Sequence, residues 1–144
     1  MATSKKSQNF SAEEKAAMKE RTEELKREKR GASEAEDAKA VIDKIAAMAE
    51  PDRSLAGRIH ELVLAAAPAL KAKLWYGMPA YYKDGKNVCF FQDGGKFKAR
   101  YSTFGFNDPA RLDDGNMWPT SFAVLKLTAA DEARLTALVK QAVS

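Results

Sequence analysis

Apolar residues recur at spacings of three and four in two stretches of the first half of the chain. Ala38, Val41, Ile42, Ile45 and Ala49 share one face after Ser33-Glu34-Ala35-Glu36, a capping-box pattern. Leu55, Ile59, Leu62, Val63 and Ala66 repeat the stripe between Pro51 and Pro68, with Asp52 placed to cap the second helix. Upstream, Ser11-Ala12-Glu13-Glu14 opens a third helical segment over 12–29, ended by Gly31, whose apolar residues (Ala16, Ala17, Met18, Leu25) are too few to form a stripe. After Pro68 the period falls to two, and strands are predicted over 71–76, 80–83, 86–92, 96–101 and 121–127. Asp84-Gly85 is a type I′ hairpin dipeptide, and Asp93-Gly94-Gly95 supplies a second tight turn. Thr128-Ala129-Ala130-Asp131 then caps a last helix carrying Leu135, Leu138, Val139 and Ala142. This order predicts an α+β fold: N-terminal amphipathic helices, an antiparallel sheet of about five strands, and a C-terminal helix packed on the sheet.

The helical pattern gives way to the strand pattern at Trp75-Tyr76-Gly77-Met78-Pro79-Ala80-Tyr81-Tyr82, where Gly77 and Pro79 forbid helix and predict an extended, bent octet. Aromatics beside such a bend serve as core anchors or as the wall of a ligand site. The stretch 96–101 alternates, sending Phe97, Ala99 and Tyr101 inward and Lys96, Lys98 and Arg100 to solvent. With a two-residue turn at Gly94-Gly95, Val88 and Phe90 join the core and Phe91 lies beside Lys98; a three-residue turn places Phe90 there instead. A phenylalanine among cations suits a planar anion or single-stranded nucleic acid, and equally an ordinary lysine-guarded sheet. In 103–120, Asp108-Pro109 predicts a short helical turn and Asp113-Asp114-Gly115-Asn116 a polar one, in a segment long enough to act as a flap. These features place a candidate ligand groove between the Gly77–Pro79 bend, the basic sheet face and the flap. Its candidate residues are Trp75, Met78, Pro79, Tyr81, Phe91, Lys98, Arg100 and Trp118, with Lys98 and Arg100 attracting an anionic group.

Length and charge narrow the reading. The 144 residues, 45% of them hydrophobic, suit one ordinary core, so residues 31–144 are read as a single domain and 1–30 as a charged helical arm, mobile or loosely docked. That arm holds nine Lys/Arg and six Glu, which is +3 of the overall net charge of +4. So mild an excess supports weak attraction to polyanions without identifying nucleic acid, and a small anionic ligand or a protein partner is expected ahead of it. No apolar run is long enough for a membrane span, and no apolar segment follows Lys5-Lys6, so no membrane partner and a cytoplasmic location are expected. One cysteine, Cys89, rules out an internal disulfide or a cysteine metal cluster. The lone histidine, His60, has no G-x-S-x-G elbow to serve, and neither phosphate-binding glycine loop is present. No catalytic constellation is visible, and a non-enzymatic binding domain is expected.

The run Leu74-Trp75-Tyr76-Gly77-Met78-Pro79-Ala80-Tyr81, followed by Gly85-Lys86 and Val88-Cys89-Phe90-Phe91, resembles the Tyr-Gly-Met-Pro-Ala-aromatic signature and following hairpin of the YdhG-like family of small bacterial proteins. The similarity covers roughly residues 34 to 143. It implies a frataxin-like α+β fold, and some members are described as intracellular iron chaperones. For iron, the carboxylates available without histidine or cysteine are Glu34, Glu36 and Asp37, with Asp43 beyond them.

Overall fold

The computed structural model describes residues 10–144. Its elements run α1 (Ala12–Arg30), α2 (Glu34–Ala46), α3 (Asp52–Ala66), β1 (Lys71–Trp75), β2 (Met78–Lys83), β3 (Lys86–Gln92), β4 (Ser102–Phe106), β5 (Ser121–Val124) and α4 (Ala129–Ala142). The five strands form one antiparallel meander in sequence order, β1-β2-β3-β4-β5. The α+β layout is the one the periodicity predicts.

Local chemistry accounts for most boundaries. Ser11 and Ser33 accept hydrogen bonds from the Glu14 and Glu36 N–H groups, and Thr128 and Asp131 cap α4 reciprocally. Tyr76-Gly77 and Asp84-Gly85 both adopt positive φ at two successive residues, closing β1–β2 and β2–β3 as two-residue hairpins. The bend expected over the aromatic octet is thus a hairpin at Tyr76-Gly77, and Pro79 sits inside β2 opposite Leu74. On the helix-facing side of the sheet, Leu74, Tyr81, Cys89, Phe91, Phe104 and Phe106 meet Val41, Ile59, Val63 and Val139. The other face carries Lys73, Trp75, Tyr82 and Phe90, with Phe90 edge-on to Trp75.

Two expectations are corrected. The strand over 96–101 does not form: Gly94–Phe97 is a turn of 3-10 helix, and β4 starts only at Ser102. Asp52 causes this. Instead of capping α3, its carboxylate accepts from the Gly95 N–H at 2.9 Å and from Ser102 Oγ at 2.8 Å, while Ser102 Oγ accepts from the Gly94 N–H at 2.9 Å. The chain is drawn so close that a side chain at Gly94 would overlap the Tyr101 carbonyl. With that tie the alternation of Phe97, Ala99 and Tyr101 is lost, and Phe91 rather than Phe90 enters the core. The flap is also smaller than expected, because β4 takes its first residues. Its remainder lies at the Asp84-Gly85 end of the sheet, where Asn107 N–H donates to Val88 O and Arg111 N–H to Ala142 O; Asp108-Pro109 forms a turn without helix.

The described part of the N-terminal arm, α1, is docked on the domain through polar contacts. Glu24 is buried and accepts from the N–H groups of Tyr76 at 2.9 Å and Gly77 at 2.7 Å. Glu20 bridges Lys44 and Lys96, each at 2.7 Å; Glu28 pairs with Lys73, and Glu13 with Lys98 at 3.2 Å. The two sheet edges therefore differ. β1 carries Lys71 and Lys73 and meets α1. β5 carries no charge and no proline, and because Phe106 N–H donates to Thr120 O, antiparallel alternation points the backbone groups of Ser121 and Ala123 away from β4.

Candidate functional site

The expected groove does not assemble, for a topological reason. In a meander successive turns fall at opposite ends, so the Tyr76-Gly77 hairpin and the loop after β4 lie at opposite ends of the sheet. Tyr81, Pro79 and Phe91 are fully buried core residues, and Met78 is buried on the other sheet face. Trp75 is half-buried between Tyr76 and Phe90, and Trp118 packs half-buried against the core. Lys98 is exposed and engaged with Glu13. Arg100 lines a groove.

That groove, of about 480 Å³, lies on the helix-facing side of β4 and β5. It exists because α4 leans on α3, where Arg58 grips Glu132 with two hydrogen bonds at 2.8 and 3.1 Å, and leaves the β4–β5 end of the sheet uncovered. Phe104, Phe122, Leu127, Leu135 and Leu138 supply its apolar lining. Arg100, Lys126 and Arg134 supply cations, with the Arg134 guanidinium 5.2 Å from the Phe122 ring centre and Arg100 5.3 Å from that of Tyr101. None of the three cations forms an ion pair among the described residues. Asp131 is the one carboxylate in the lining, and it is engaged in the α4 cap. The Thr128 N–H and hydroxyl hold its carboxyl below the usual range, with Arg134 and Lys126 adding to this from farther off. An apolar trough with unpaired cations can hold a molecule that has an acidic group and a hydrophobic body.

Sequence reading misses Lys126, Arg134 and the two groove phenylalanines. The stripe Leu135/Leu138 marks a face of α4, but how far that face covers the sheet follows from how α4 packs on α3, far away in the chain.

The proposed iron ligands are not brought together. Glu34 pairs with Lys71 and Glu36 with Arg30, each at 3.6 Å, while Asp37 is half-buried and its carboxyl is pushed up by that burial. Among the described residues no three His, Cys, Asp or Glu side chains are grouped to hold a metal ion. Cys89 is buried and its thiol pushed up to about 12 by burial, so it is poorly suited to act as a thiolate. No helix among the described residues is long and apolar enough to cross a membrane. Set against family models, curated proteins and solved structures, the chain matches none of them.

Proposed function

We propose that this protein is a non-catalytic binding domain whose β5–α4 groove takes a small amphipathic anion, with the acidic group among Arg100, Lys126 and Arg134 and the apolar body on Phe104, Phe122, Leu135 and Leu138. One observation carries the reading: three cations without ion-pair partners among the described residues converge on an apolar-lined groove of about 480 Å³. Lysines scattered on a solvated surface would lack the trough, and a core defect would lack the cations.

Anilinonaphthalene sulfonate, an anionic aromatic dye, tests it by fluorescence titration. Saturable binding is expected, weakened about tenfold in Arg134→Ala and by a similar factor in Arg100→Ala, and competed by decanoate. Raising NaCl from about 0.05 M to about 0.5 M should weaken it further. Dye binding that neither substitution changes, or no saturable binding at all, would place the function elsewhere.

A further inference from the structure

The docking of α1 is unlike that of the other helices. α2 and α3 bury stripes of aliphatic side chains, whereas α1 buries one apolar residue, Ala17, and leaves Phe10, Met18 and Leu25 between 40% and 44% exposed beside or along it. What holds it is one acidic face. Glu13, Glu20, Glu24 and Glu28 are seven, four and four residues apart, spacings that align them along one side of a helix.

The surface beneath them is built for carboxylates. Tyr76 and Gly77, at φ 51° and 77°, point successive N–H groups at one spot, a concavity of backbone donors that binds anions. The Glu24 carboxylate occupies it with one oxygen on each N–H. Lys96 and Lys44 hold Glu20 beside it, and Lys96 Nζ also reaches the Tyr76 carbonyl at 3.4 Å. Burial opposes ionisation of Glu20, but the two lysine hydrogen bonds outweigh it and keep that carboxyl below its usual range. Lys73 and Lys98 extend the row to either side. The left-handed φ of 77° favours glycine at position 77, and a side chain there would also push aside the Glu20 carboxylate and Lys96 Nζ. Past α1, Gly31 takes a left-handed conformation with nothing within 4 Å of where a side chain would stand, so the connection at that point is unobstructed.

We infer that the Tyr76–Gly77 amides with Lys44, Lys73, Lys96 and Lys98 form a recognition surface for an acidic helix of a partner protein, and that α1 fills this surface in cis as an exchangeable occupant. Charge complementarity names the partner class: a helix with glutamates or aspartates at i, i+4 and i+8. Polar docking makes the exchange possible, because little apolar area holds α1 in place and the partly exposed pairs of Glu13, Glu20 and Glu28 weaken in salt. The site is separate from the β5–α4 groove and stands whether or not that groove binds an anion.

The probe is a labelled peptide with the sequence of residues 11–31, added to the full chain carrying Glu20→Lys and Glu24→Lys so that its own α1 is repelled. Fluorescence anisotropy should show saturable binding at least about tenfold tighter than to the wild-type chain. A peptide with glutamine at positions 20 and 24 should bind at least about tenfold more weakly, and adding Gly77→Ala to the chain should abolish binding. A folded charge-reversed chain that ignores the peptide, or does not distinguish the glutamine version, overturns the proposal. So does a single-stranded oligonucleotide that outcompetes the peptide at equal salt, which would assign the surface to phosphates. Should the charge-reversed chain fail to fold, amide exchange on the wild type decides: between about 0.05 M and about 0.5 M NaCl, exchange at Tyr76, Gly77 and α1 should accelerate together while β3 stays protected. Unchanged protection at Tyr76 and Gly77 would show a fixed helix and sink the idea.

Discussion

His60 and Tyr81 show how a single residue can be conspicuous in the sequence and structural in the fold. Tyr81 is fully buried, and its hydroxyl lies 2.9 Å from His60 Nδ1, so the lone histidine satisfies a core tyrosine. Burial lowers the imidazole pKa from its ordinary value and pushes the Tyr81 phenol far above the range where it could ionise. The unfolded chain therefore takes up the His60 proton first as pH falls. The linked stability is complete above about pH 6.5, the unfolded value, and declines below it until the folded imidazole is itself protonated. Thermal melts from about pH 7.5 to about pH 5 should show Tm falling in the wild type, with that slope reduced in His60→Gln. An imidazole that titrates at or above its ordinary value by NMR would contradict the burial argument. The sequence offered Tyr81 as a core anchor or a groove wall beside the bend; its hydrogen-bond partner, 21 residues earlier on α3, was not legible.

At the level of elements, the helices and the Asp84-Gly85 hairpin were legible because their signals are local: cap residues, stripes of period near 3.6, and a glycine where φ must be positive; Tyr76-Gly77 was legible only as a bend. The segment 96–101 was misread although its alternation is clean, because the deciding residue is Asp52, about 50 positions upstream. A tertiary hydrogen bond outweighed a local pattern whose intrinsic worth is small. Replacing Asp52 by Ala leaves the Gly95 N–H and the buried Ser102 hydroxyl short of an acceptor and should cost about 2 kcal/mol. A chemical-denaturation series should show that loss, with amide protection falling first at Gly94 and Gly95. Stability within about 0.5 kcal/mol of wild type would mean that the glycine turn holds itself.

For the molecule as a whole, the site was the least legible part because it depends on where elements end up relative to one another. The sequence presented Trp75, Pro79, Tyr81, Phe91 and Arg100 as neighbours in kind, and the meander distributes them over the core, both sheet faces and the far groove. Arg100 was legible only as one of three cations on a 96–101 strand that does not form; Arg134 was not legible, because a cation on a helix is ordinary. The unlike sheet edges bear on assembly. An uncharged β5 can zip to the β5 of another copy about a two-fold axis, and the resulting ten-stranded sheet would present only β1 edges, each lined by lysines and engaged with α1. Growth would stop there. At high concentration, sedimentation should show nothing larger than pairs, and Ala123→Lys should return those pairs to single chains. In such a pair the lysine-bearing end would act as a terminator, and the chain would be a poor seed for fibrils although no described residue covers the outer edge of β5.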